Sequence, residues 1–184
     1  MLTHKGTPII ETERLILRRF RLGDDRAMFE NWASDDAVTK YLTWPSHESI
    51  DITRMVLVDW VSGYDKPDFY QWAITFKAEG DDPIGSIAVV EQDDTIRKAT
   101  IGYCIGQSWW HRGIMTEALK AVMDYLFDEV GMLRIDSYHD TRNPRSGAVM
   151  EKCGMKFEGT LRQAAWNNQG ICDVNLYALL AQER

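Results

Sequence analysis

The sequence predicts a mixed α/β domain, a sheet layer packed with helices. Three observations predict it. Short runs of strand character recur along the chain, separated by turn clusters such as Gly80-Asp-Asp-Pro83 and Asn167-Asn-Gln-Gly170. Between two of these runs stands one long helical pattern over residues 114–130, in which Ile114, Ala118, Val122, Tyr125 and Leu126 recur at helical spacing. The composition, 45% apolar and 27% charged over 184 residues, is that of a globular chain large enough for a real core.

In order, residues 14–20 alternate, Leu15 and Leu17 against Ile16 and Arg18, and read as the first strand. Residues 24–33 read as a helix carrying Ala27, Met28 and Trp32. Residues 34–48, with Pro45, read as a loop or broken helix. A second helix is expected over 50–61, with Ile50, Met55, Leu57, Val58 and Val61 near one face. Turn chemistry at 63–68 leads to strands at 70–76 and 84–91, and Asp93-Asp94 turns into a strand at 98–105. Gly131 stops the long helix, and 133–139 reads as a strand. A short helix follows over 144–153, with Asn143 at its N-cap, Pro144 at its first position and Gly154 beyond its end. Residues 156–166 and 171–180 form a final hairpin. No repeat or linker divides residues 1–184, so one domain is expected.

No apolar run approaches the ~20 residues that span a bilayer, and the first residues lack the apolar core of a signal peptide. Three widely spaced cysteines, Cys104, Cys153 and Cys172, argue against a disulfide framework and for a reducing cytoplasm. The net charge of −7 argues against broad nucleic-acid binding and favours a cationic or amine-bearing partner. His111 and His139 have no metal-ligand spacing, so no metal is expected.

The most informative stretch is 110–118, Trp-His-Arg-Gly-Ile-Met-Thr-Glu-Ala. It leaves a strand and enters the long helix. The first turn of a helix has N–H groups without internal partners and a positive dipole end, which suits a phosphate. Gly113 lets a ligand approach the backbone, and Arg112 adds a cation. Arg142, Arg145 and Lys152 bring further positive charge to the two proposed cofactor segments, with scattered solvated charge as the alternative reading. Neither Gly-x-x-x-x-Gly-Lys-Ser/Thr nor Gly-x-Gly-x-x-Gly is present, which removes the common nucleotide loops.

This stretch resembles the pyrophosphate loop of GNAT (GCN5-related) N-acetyltransferases. The segment 143–159, Asn-Pro-Arg-Ser-Gly-Ala-Val-Met-Glu-Lys-Cys-Gly-Met-Lys-Phe-Glu-Gly, is similar to Asn-x-x-Ser…Glu-Lys-x-Gly-Phe-x-x-Glu-Gly of the family's RimJ/RimL branch. The opening Glu13-Arg-Leu-Ile-Leu-Arg18 and the late Asp173-Val-Asn-Leu-Tyr177 also fit that branch, which acetylates the N-termini of ribosomal proteins. The resemblance spans nearly the whole chain, with four motifs in order. It implies the GNAT fold: a mixed, mostly antiparallel sheet of about seven strands, helices on both faces and a splayed parallel strand pair. It implies acetyl-CoA as acyl donor and direct transfer to a primary amine, with no metal. Homodimers are compatible with the family.

The implied cofactor residues are the backbone of Tyr103, Cys104 and Ile105 for the pantetheine arm and the loop His111, Arg112, Gly113, Ile114, Met115 and Thr116 for the pyrophosphate, with Asn143 and Ser146 from the second motif. Asn143 also serves as a plain N-cap. Ser146 could protonate the departing thiolate, or only contact the cofactor. The peptide-acetylating branch carries a Glu base where this chain has Ala165, and the Tyr acid of many relatives falls at Met150. Trp110 stands where the family has Gln or Arg, and Met115 where a small residue is usual. Glu91 is a substitute base or a solvated strand end. Trp44 and Trp166 are candidates for an acceptor pocket built from about 34–69 and 160–172. At pH 7.4 about a quarter of α-amines are neutral, against about a thousandth of lysine amines. An N-terminal α-amine is therefore the expected acceptor. A small-molecule amine (antibiotic, polyamine or amino acid) or a non-catalytic acyl-CoA-binding module are the other readings.

Overall fold

The computed structural model describes all 184 residues. The strands are β1 (Ile10–Glu11), β2 (Leu15–Arg18), β3 (Gln71–Phe76), β4 (Gly85–Asp93), β5 (Lys98–Ile105), β6 (Arg134–Asp140), β7 (Lys156–Asn167) and β8 (Gly170–Leu180). They form one eight-stranded sheet in the order β1-β2-β3-β4-β5-β6-β8-β7. Every neighbouring pair is antiparallel except β5 and β6. The strand beyond the expected seven is β1, whose two residues are too few for a periodic signal.

The helices are α1 (Asp25–Met28), α2 (Asp36–Thr39), α3 (Ile50–Gly63), α4 (Ile114–Tyr125) and α5 (Pro144–Lys152). α1 continues into a wider turn at Phe29–Ala33, and α4 into another at Leu126–Val130, which Gly131 ends at φ +87. β3 shows how the sheet serves two cores, because successive side chains point to opposite faces. Trp72 and Ile74 join the larger cluster with Ile114, Leu119 and Val122 of α4 and Met150 of α5. Ala73 joins the smaller cluster with Met28, Trp32 and Leu57 beneath α1 and α3.

The apolar face expected for α3 is corrected. Thr53 and Leu57 are buried, whereas Met55 and Val58 face solvent. Apolar residues occupy most of the helix circumference, so spacing alone did not select the buried side.

α5 lies close on the sheet because position 147 is glycine. A Cβ there would meet His139 Nε2 at 2.5 Å. His139 is buried, its Nδ1 donates to the Asp140 carbonyl at 2.8 Å, and its Nε2 has no partner. Alanine usually favours a helix over glycine by about 1 kcal/mol. Here overpacking, about 1–3 kcal/mol, opposes that gain. Gly147→Ala should therefore destabilise the protein by roughly 1 kcal/mol in urea unfolding; a stabilised variant would contradict this packing.

Candidate active site

β5 and β6 pair over three positions only: Lys98 with Arg134, Ala99 with Ile135, and Thr100 with Asp136. Beyond them the strands part, although β5 runs on to Ile105 and β6 to Asp140. Ser137 Oγ donates to the Ile101 carbonyl (2.7 Å) where the gap begins. Parallel strands that separate leave backbone N–H and C=O groups unpaired, and an extended amide-rich ligand can complete them.

A cleft of about 640 Å³ occupies this gap. Its walls are Tyr103, Cys104 and Ile105 of β5, the loop and first turn of α4, residues 142–152 around α5, and residues 37–42 in and after α2. Of the sequence candidates, Tyr103, Cys104, Ile105, His111, Gly113, Ile114, Met115, Thr116, Asn143 and Ser146 line it.

The loop before α4 is shaped for anions. His111 (φ +62) and Gly113 (φ +73) are both left-handed, and alternating handedness directs successive N–H groups toward one point. Glu117 anchors this turn. Its carboxylate accepts from Thr12 Oγ1 (2.6 Å), Arg14 N (2.9 Å) and Arg14 Nε (2.7 Å), while Arg14 Nη1 donates to the Arg112 carbonyl (3.0 Å). Burial works against the Glu117 charge, but these bonds prevail and lower its pKa. The turn between β1 and β2 thus braces the loop.

Trp110 has a role its motif position did not suggest. Its Nε1 donates to the Ile105 carbonyl (2.9 Å), and the Arg145 guanidinium lies 5.7 Å over its ring. The Ile105 carbonyl thus accepts one hydrogen bond from within the chain, and its second lone pair stays free at the cleft wall.

Asn143 stands at the N-cap of α5 without a side-chain cap bond, so its amide is available to the cleft. Ser146 Oγ lies 3.1 Å from Tyr103 Oη, which also reaches the Ser146 carbonyl at 3.0 Å. Burial raises the Tyr103 pKa, so the phenol stays protonated. It holds the serine hydroxyl in the cleft. Ser146→Ala should lower kcat about tenfold, the worth of one such hydrogen bond, with acetyl-CoA affinity within threefold. A change in affinity alone would reduce the serine to a cofactor contact.

Four candidates lie elsewhere. Arg112 does not line the cleft; its loop offers backbone donors, and the lining cations are Lys40, Arg142, Arg145 and Lys152. Glu91 follows a bulge in β4 and sits opposite Thr100, at the closed end of the parallel pair. Because β4 runs antiparallel to β5, its later residues lead away from the open end, and Glu91 faces Lys98 (3.7 Å). Trp44 rests against His47 and the smaller core, and Trp166 is exposed on β7. Neither lines the cleft. Cys104 lines it, but burial pushes its thiol up to about 12; Cys153 is buried and raised to about 11. Neither thiol is primed as a nucleophile. No cluster of His, Cys, Asp or Glu has the arrangement of a metal site.

The wall at 37–42 falls within the segment 34–69 expected to help build the acceptor pocket, and Asn168, within 160–172, ties to it. Asn168, at the tip of the β7–β8 hairpin, donates Nδ2 to the carbonyls of Thr39 (2.8 Å) and Trp44 (2.8 Å), and its N–H to Leu42 (3.2 Å). Next to it, Asn167 Nδ2 donates to buried Asp140 (2.8 Å), whose other strong partner is Arg142 (2.6 Å). Arg142, with Asn167, holds the Asp140 carboxyl far below the usual range.

Residues 14–156 match the family model described as the acetyltransferase (GNAT) domain. The chain belongs to the GNAT acetyltransferase family. It is an acyltransferase, and acetyl transfer is its chemistry. Among GNAT relatives, the N-acetyltransferase YoaA of Bacillus subtilis (strain 168) is 31% identical, over 94% of this chain and 97% of that one. The ribosomal-protein-serine acetyltransferase of Escherichia coli (strain K12) is 33% identical, over 53% of this chain and 55% of that one. A crystal structure of a GNAT acetyltransferase from Bacillus anthracis superposes with a TM-score of 0.84 at 26% identity, covering 96% of this chain and 100% of that one. The eight-stranded, mostly antiparallel sheet with one parallel pair is the GNAT fold.

Proposed function

We propose that this acetyltransferase moves an acetyl group from acetyl-CoA to the N-terminal α-amine of a protein or peptide. The observation that carries this reading is the lining of the cleft, which contains no Asp or Glu. No carboxylate stands ready to take a proton from an ammonium. An acceptor that arrives partly neutral, as an α-amine with pKa near 8 does and a lysine does not, leans least on a base. Ala165, at the place of the branch's Glu, agrees with this, as does the likeness to a ribosomal-protein-serine acetyltransferase.

The donor fits the residues present. Backbone N–H groups of the 111–116 loop, with Arg145 and Lys152, would hold the pyrophosphate. The free edge of β5 and the Asn143 amide would pair with the pantetheine arm. The amine nitrogen then attacks the thioester carbon, the carbon–sulfur bond breaks, and Ser146 is placed to protonate the sulfur. Water carries the proton released by the amine back to the Ser146 oxygen, which restores its hydroxyl.

The test is CoA release from acetyl-CoA across N-terminal peptides, polyamines, amino acids and aminoglycosides. Release with peptides is expected, with kcat/KM rising with pH through the acceptor amine's pKa near 8 and levelling above it. Release confined to one small amine would overturn the reading.

A further inference from the structure

The chain carries a net charge of −7, yet the charged groups lining the cleft are cationic. Arg145 lies over Trp110, beside the 111–116 loop, and Lys152 is at the far end of α5. Lys40 and Arg142 stand by the hairpin tip, and they are not equivalent. The Arg142 charge is taken up by Asp140 (2.6 Å). Lys40 makes no ion pair; its Nζ lies 5.2 Å over the Tyr41 ring. The three Asn168 bonds hold the segment carrying Lys40 against the hairpin. A cation is thus kept without a counter-ion on the cleft wall at the hairpin tip, away from the 111–116 loop.

Such a charge repels a second ammonium on the acceptor and attracts an anion. Resting on the α-amine reading, we propose that the acceptor carries a carboxylate beside its amine, as an acidic residue near the N-terminus supplies, and that Lys40 receives it. Polyamines and aminoglycosides are then poor acceptors on charge alone.

The test uses three peptides identical except for Asp, Asn or Lys at the second position, with the wild-type enzyme and the Lys40→Glu and Lys40→Ala variants. For the wild type, kcat/KM should be roughly threefold higher for the Asp peptide than the Asn peptide, with the Lys peptide lowest; added salt should compress the order. Lys40→Ala should flatten the order and Lys40→Glu reverse it. The KM for acetyl-CoA and the melting temperature should hold, since Lys40 is exposed. Equal rates with all three peptides would overturn the proposal. So would a Lys40→Glu enzyme with raised acetyl-CoA KM and unchanged peptide order, because Lys40 would then serve the cofactor phosphates. In both cases peptides are still acetylated. No peptide turnover, with a small amine accepted, would instead sink the α-amine reading along with this one.

Discussion

Gly113→Val should weaken acetyl-CoA binding by roughly 100-fold. Space is not the reason: a Cβ at 113 would meet only Arg14 Nη2, at 3.6 Å. The backbone is the reason. Gly113 sits at φ +73, ψ 4, as the residue that turns the loop into α4. A side chain in this region costs about 1–3 kcal/mol, and β-branching places valine at the costly end. The chain can relieve the strain by leaving the left-handed region, which turns the following N–H groups away from the phosphate. About 2.7 kcal/mol corresponds to that 100-fold loss. Asparagine tolerates the conformation best after glycine, so affinity should fall in the order Gly, Asn, Ala, Val. Titration calorimetry with CoA reads this directly. A valine variant binding within threefold of wild type would mean that the phosphate lies elsewhere.

Arg18→Met should destabilise the protein by about 3–5 kcal/mol. Arg18 is 4% exposed. Its guanidinium donates to Asp24 twice (2.8 and 2.9 Å), to the Asp81 carboxylate (2.8 Å) and to the Asp81 and Arg19 carbonyls (2.6 and 2.9 Å). One side chain thereby rivets β2 to the start of α1 and to the turn between β3 and β4. Burial works against the Arg18 charge, but Asp24 and Asp81 restore it and raise the pKa further. Methionine has comparable reach but leaves the buried Asp24 carboxylate without its counter-ion. In thermal unfolding the loss corresponds to about 10 °C for a chain of this size. The double variant Arg18→Met, Asp24→Leu should recover much of it, because the stranded charge is gone. If the double variant were no more stable than the single one, the lost hydrogen bonds rather than the stranded charge would dominate.

The sequence was most readable where local chemistry acts alone. β5 falls on its expected span, and α5 begins after Asn143 with Pro144 at its first position. The loop before α4 was recognisable because a glycine and a cation between a strand and a helix start are a local signature of an anion site. Features set by distant partners were not readable. Glu91 lay at a strand end, but which end of the sheet opens depends on where β5 and β6 part. Trp110 looked like a departure from a motif until its indole was found on the Ile105 carbonyl. The segment 37–42 has no pattern of its own; Asn168, over 120 positions later, holds it in place. For α3, the chain around it rather than its spacing chose Thr53 over Met55 as an inward residue.

The three-position pairing between β5 and β6 has a mechanical consequence. Across that line the backbone joins two half-sheets, β1 to β5 and β6 to β8, by a short seam. Side chains add to it, Ser137 Oγ on the Ile101 carbonyl and Thr100 Oγ1 on Asp136, and the helices pack over both halves. A ligand whose amides bond both margins acts as a suture. Without it the backbone seam stays three positions long; with it the two halves should resist unfolding as one body. Substrate occupancy and the cooperativity of the fold are then the same property seen from two sides.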